Sequence, residues 1–167
     1  FSVEALNTGI QVFILVLLIY FLAGFQGSFF VYLAATFTLA MSGAAMAVTL
    51  GVVAKGNAKV AAQLLPVLFI PQILFSGFFV SPELIPSYLQ WAQYAFALPY
   101  AVRILVIEEF HNCSDDYFAN QNCQRLIENV EANPDDMWFY WLMLVVYFFI
   151  FRLFALALLR KSATKFY

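Results

Sequence analysis

Four apolar runs, each near the roughly 20 residues that match the hydrocarbon core of a bilayer, lie at about residues 5–24, 31–53, 60–80 and 138–159. They predict four transmembrane helices. Between the third and the fourth comes ILFSGFFVSPELIPSYLQWAQYAFALPYAVRILVIEEF (residues 73–110), which holds a further apolar run after SPE. One long polar region follows, at residues 108–137. Composition agrees with a membrane setting: 64% of residues are apolar and 11% charged, more apolar material than a soluble domain of this size could hide in one core. The chain opens on Phe1, with no charged-then-apolar leader ending in a cleavage site. The first run is therefore not read as a signal peptide, and the sequence is expected to be cut from a longer protein.

The lysines and arginines set the expected orientation, because short segments rich in them stay cytoplasmic. Lys55 and Lys59 separate the second and third runs, and Arg160, Lys161 and Lys165 follow the fourth. With four spans both groups lie on one side, which makes both ends cytoplasmic. The 108–137 loop then lies outside; it carries Glu108, Glu109, Asp115, Asp116, Glu128, Glu131, Asp135 and Asp136 against Arg125 alone. A fifth span over 84–107 would reverse this and put the acidic loop in the cytoplasm. Pro86 and Pro99 also oppose it, since each removes a backbone donor and disfavours helix just before it. From Pro99 to Glu108 only about 8 residues remain, roughly 12 Å of helix. Tyr88, Trp91, Tyr94 and Tyr100 are ring types that settle at headgroup level. Two short helices that dip into the outer leaflet and return are expected, with an amphipathic helix lying flat on the membrane as the alternative. Residues 81–137 then form one re-entrant and extracellular region in an all-α membrane protein.

YFLAGF (20–25), ILFSGFFV (73–80), ALPYAVRILVIEEF (97–110) and FRLFALALLRK (151–161) follow one another in the order and approximate spacing of one family. On these segments the chain resembles the C-terminal part of the transmembrane domain of a G-subfamily ABC exporter, the White and pleiotropic-drug-resistance group. The resemblance covers nearly the whole chain and implies spans three to six of six, with the last extracellular loop as a lid over the translocation path. It departs at the start, where relatives carry an aspartate-proline type motif and this chain has VEALNTG.

The resemblance also implies site residues. Ile70 and Ile73 match an apolar substrate cavity, Phe78 and Phe79 match a hydrophobic plug between the central and outer cavities, and Glu109, with Pro99 and Tyr100 of the re-entrant segment, joins the contacts that hold the lid. Simpler readings stand beside these. Pro66, Pro71 and Gln72 are accounted for by a kinked helix whose freed carbonyls are met by neighbours, and Phe78 and Phe79 by core packing. AMSGAAMAV in the second run suits close helix packing. Glu4, Asn7, Thr8 and Gln11 recur at helical spacing and form a polar stripe that faces protein or water, either at a cavity mouth or as a tie between helices. Arg152 is expected to snorkel to the interface as a structural residue.

Cys113 and Cys123 both fall on the oxidising side. A bridge between them would close a loop of about 11 residues and contribute roughly 2–3 kcal/mol; a bridge across a dimer axis and free thiols are the alternatives. Ordering that loop costs about 1–2 kcal/mol of backbone entropy per residue, and few apolar anchors are evident between His111 and Asp136. NCS at 112–114 makes Asn112 the sole glycosylation sequon. Enzyme chemistry within the segment lacks its parts: one histidine gives no metal pair, and there is neither a phosphate-cradling glycine-lysine motif nor a nucleophile elbow. Glu108 and Glu109 point about 100° apart on a helix and form no acid/base pair. The resemblance implies an outward pathway for amphipathic or lipid-like substrates, such as lipids, sterols and drugs, across the plasma membrane. ATP and Mg would be bound by a nucleotide-binding domain elsewhere in the parent, and a second transmembrane half would come from a homodimer, a heterodimer or an internal duplicate. Membrane lipids are the other expected partner, and no nucleic acid is. A channel for a long polymer and a non-transporting scaffold or receptor subunit are the competing readings.

Overall fold

The computed structural model describes residues 2–54, 57–77, 86, 91, 94, 96–110, 125, 127, 130 and 132–163. Among them the fold is helical, without strands. Helix α1 covers Ser2–Ala23, α2 Phe29–Val53, α3 Ala58–Leu74, α4 Ala97–Phe110 and α5 Met137–Ala163, the last entered through a 3-10 turn at Pro134–Asp136. Three stretches are long and apolar enough to cross a bilayer, Val3–Ala23, Phe29–Val53 and Pro134–Leu158. Their outward surfaces carry large apolar side chains such as Val3, Leu22 and Phe30. In water that would be a severe liability, and in hydrocarbon it is the expected lipid-facing surface.

Local chemistry sets the ends. Gly24 sits at φ 67° and ends α1: its N–H and that of Phe25 both return to the Tyr20 carbonyl, at 3.1 and 3.3 Å, the left-handed stop that glycine makes without strain. Asn57 starts α3 by accepting from the Lys59 N–H at 3.2 Å, as an N-cap should. Helix α3 runs for only 17 residues, about 25 Å. Its regular path stops where Ser76 turns its hydroxyl back to the Ile73 carbonyl at 2.7 Å and Gly77 takes φ 80°. The helical part of the third run is thus shorter than the 60–80 expected; residues 78–80 lie outside the described set.

Helix α2 is the centre, with α1, α3, α4 and α5 all packed on it. The small residues of α2 are split between two faces: Ala35, Ser42 and Ala45 are buried to within 1%, while Gly43 faces open space. The main core joins α2, α4 and α5 through Ala35, Tyr100, Ala101, Ile104, Ile107, Tyr140 and Leu144.

The contacts also fix how α4 runs. Its first turn lies beside Tyr147, ten residues into α5, because the Tyr100 and Tyr147 hydroxyls both donate to the Tyr94 carbonyl. Its last turn meets the α1–α2 turn. The segment therefore starts partway along the bundle and runs back to the end where α1 stops and α2 begins. One expectation changes: Pro99 does not begin the helix. It sits in the first turn of a 14-residue helix, where a missing N–H costs nothing. At about 21 Å, α4 is still too short to cross. Of the helix expected before it, only Pro86, Trp91, Tyr94 and Phe96 are described. The loop also has more anchors than expected, since Val130 and Ala132 are buried in the main core with Ile127 packed against them.

Candidate functional site: a carboxylate clasp on the α1–α2 turn

Two consecutive carboxylates at the end of α4 close on the turn between α1 and α2. Glu109 accepts from the Gln26 N–H at 3.2 and 3.3 Å, from the Gly27 N–H at 3.4 Å and from the Tyr32 hydroxyl at 2.5 Å. Glu108 accepts from the Ser28 N–H at 2.8 Å. Ser28 is the N-cap of α2, and its own side chain makes no capping bond. The backbone donors of the turn, up to the N-cap of α2, are thus met by carboxylates from 80 residues away, and the positive end of the α2 dipole favours their charge. The 100° between neighbouring helical residues, which denies Glu108 and Glu109 a shared proton, lets them straddle the turn.

The turn is shaped to receive them. The Tyr20 hydroxyl donates to the Gly27 carbonyl at 2.9 Å. Phe25 stacks on Tyr32 with centroids 4.9 Å apart and planes within 7°, and Phe29 meets Tyr20 edge-on at 5.4 Å. Gly27 is required for close approach: a Cβ there would stand 2.8 Å from Glu108 Cγ, 2.9 Å from the Tyr32 ring and 3.0 Å from the Glu108 carbonyl.

Arg103, one and a half turns before the clasp, is 5% exposed. It donates from Nε to the Val130 carbonyl at 3.0 Å, and its guanidinium lies 5.6 Å from the Tyr140 ring centre. The Tyr140 hydroxyl in turn accepts from the Asn133 N–H at 3.2 Å. Helix α4 is therefore joined to α5 at its foot, to the returning loop at its middle and to the α1–α2 turn at its top. Tyr100, fully buried against Tyr140 and Tyr147, is a packing residue within this strut, as is Pro99 beside it.

The other expected site residues are dispersed. Ile70 and Ile73 share an open apolar face of α3, 55% and 41% exposed, while Gln72 turns the other way and donates to Met46 Sδ at 3.3 Å. They stand apart from the clasp. Phe78, Phe79, Asn112, Cys113 and Cys123 lie outside the described residues. At the far end of the bundle Arg152 grips Glu4 with two nitrogens, at 3.3 and 2.6 Å, and so takes one member of the polar stripe as its partner. Among the described residues no group of histidine, cysteine or carboxylate side chains could hold a metal.

A helical bundle with three apolar stretches long enough to cross a bilayer, a shorter strut packed on them and polar ties at both ends defines an integral membrane domain. Residues 1–110 match the family described as ABC-2 type transporter, and the chain belongs to that family, whose role is transmembrane transport. It is 30% identical over 120 residues to ABC transporter G family member 1 of Dictyostelium discoideum, covering 66% of this chain and 15% of that protein. It is 28% identical over 95 residues to ABC transporter ATP-binding protein/permease wht-1 of Caenorhabditis elegans, covering 56% of this chain and 14% of that protein. The chain thus spans about a seventh of the length of these relatives, both of which carry the ABC transporter name.

Proposed function

We propose that the chain is spans three to six of a G-type ABC exporter and forms half of a path that moves amphipathic or lipid-like molecules outward. The observation that carries this reading is the family match over residues 1–110, joined to a relative whose name combines an ATP-binding protein with a permease. ATP and Mg belong to a nucleotide-binding domain elsewhere in the parent, and a second half completes the path. The open face of α3 with Ile70 and Ile73 lines the cavity, Phe78 and Phe79 close it, and the clasped α4 holds the lid above it. The cytoplasmic ends of the spans are those near Glu4, Lys59 and Arg160; the clasp faces outward at the plasma membrane.

Reconstitution of the full-length protein with fluorescent phospholipids, a sterol analogue and cationic amphiphiles tests the proposal. ATP-dependent movement of at least one probe is the expected result. Movement of a glycan polymer instead would favour the channel reading, and a protein that reaches the membrane yet moves nothing and hydrolyses no ATP would favour the scaffold. Topology is read by an impermeant maleimide on intact cells, which should label a cysteine placed at Ser114 when Cys113 and Cys123 are replaced; labelling only after permeabilisation would put that loop inside.

A further inference from the structure

The two ends of α1 are held in different ways. Towards the clasp, Val12 and Val16 are buried with Tyr32 and packed by Tyr20, Phe25, Phe29, Leu33 and Phe37. Towards Ser2 no side chain of residues 3–11 is fully buried, and Glu4, Ala5, Thr8 and Gly9 are half-buried. Val3, Leu6, Asn7, Ile10 and Gln11 are exposed, and at Gly9 a Cβ would sit 3.6 Å from Phe37, an ordinary contact and no tight crossing. Beyond that point, among the described residues, the side-chain bond that reaches out from α1 is the Glu4–Arg152 pair to α5, with side chains 31% and 15% exposed.

We propose that Glu4 and Arg152 form a latch that fixes the free end of α1 against α5, and that opening it wets the Asn7–Gln11 face. Closed, the two charges neutralise each other inside a span and tolerate a dry surround. Open, Glu4 needs water, because it is tied to the turn it sits on, whereas Arg152 can extend towards the interface. The latch therefore opens only as water enters on that side. Asn7 and Gln11, one helical turn apart, already supply polar surface for it, and among the described residues neither side chain has a hydrogen-bond partner. With the far end of α1 pinned through the aromatic box and the α1–α2 turn, the helix can swing about Gly9 without disturbing the clasp.

The test uses a cysteine-depleted, ATPase-active full-length protein in lipid nanodiscs, where both faces meet the reagent, with Asn7→Cys as reporter and an impermeant maleimide as probe. Glu4→Gln and Arg152→Gln should each speed labelling on the order of tenfold, within the usual range of a conformational coupling. The exchanged pair, Glu4→Arg with Arg152→Glu, should return labelling to the slow rate. Equal rates in all forms would overturn the latch, as would an exchanged pair that labels as fast as the single variants. If the single variants fail to reach the membrane, the doubly neutral Glu4→Gln/Arg152→Gln form replaces them. It must label faster than the exchanged pair, and equal rates would again overturn the proposal. The readout is accessibility, so it stands whether or not the transported molecule has been found.

Discussion

Removing the Glu109 carboxylate tests the clasp most directly. Its strongest bond is from the Tyr32 hydroxyl at 2.5 Å, on a residue only 6% exposed, whereas the bonds from Gln26 and Gly27 are 3.2 Å or longer and partly open to solvent. A hydrogen bond to a charged group contributes about 1.5–3 kcal/mol net. Glu109→Ala, which also strands the Tyr32 hydroxyl, should therefore cost about 2–4 kcal/mol, and Glu109→Gln, which keeps one acceptor, about 1–2 kcal/mol. Tyr32→Phe should cost about 1–2 kcal/mol, and the double variant should show a coupling on the order of 1 kcal/mol or more, because the two changes remove one bond between them. Thermal unfolding of the purified full-length protein reads this: for a domain of this size each kcal/mol is about 2–4 °C, so Glu109→Ala should lower the apparent Tm by roughly 4–16 °C. Strictly additive losses for Tyr32→Phe and Glu109→Ala would refute the reasoning, since the hydroxyl and the carboxylate would then be acting independently.

Gly27→Ala should lower the apparent Tm by a comparable amount, because its Cβ would push into Glu108 and Tyr32, whereas Gly43→Ala, facing open space in mid-helix, should be neutral or raise stability by up to about 1 kcal/mol; melting both side by side checks the contrast. Arg103→Met should release the returning loop, seen as faster limited proteolysis between residues 125 and 136, and Arg103→Lys should restore protection only in part because it loses the planar fork that reaches Val130 and Tyr140. Phe78→Ala with Phe79→Ala should leave ATP hydrolysis running while reducing substrate moved per ATP in vesicles; an unchanged ratio counts against a plug. Non-reducing mass spectrometry should find one peptide pair joined through Cys113 and Cys123, and free thiols, or a dimer that needs either cysteine, would exclude an intrachain bridge.

The spans could be read from the chain because bilayer thickness is a length, and runs such as 5–24 and 138–159 measure themselves against it. Their ends came out within a few residues of Ala23 and Met137, where Gly24 and the Asn133–Pro134 turn supply the local stops. The start of α4 was not legible: proline disfavours helix behind it only beyond the first turn, and nothing local to Pro99 says that it lies in that turn and not before it. Helix α3 resisted for a similar reason. An apolar run of 21 residues looks like one span, while the left-handed Gly77 that interrupts it looks no different in sequence from a glycine packed inside a helix.

The polar ties show the same division between what a residue demands and where the demand is met. Arg103 stands alone in ALPYAVRILVIEEF, and an arginine in so apolar a segment must find an acceptor; that signal was present and pointed to an anchor, though not to the Val130 carbonyl. Glu4 and Arg152 each ask for an opposite charge, and pairing them needs only that both lie towards the same end of their spans. The clasp had no such handle. Its acceptors, Glu108 and Glu109, are visible, but its donors are the backbone N–H groups of Gln26, Gly27 and Ser28, which every residue but proline possesses. What distinguishes these donors is that they lie in the turn leading up to the N-cap of α2, at the positive end of its dipole, and that Gly27 has no side chain to keep a carboxylate away. A turn of that kind, placed between two spans, binds an anion because of its backbone geometry, so the sequence announces the ligand and conceals the site.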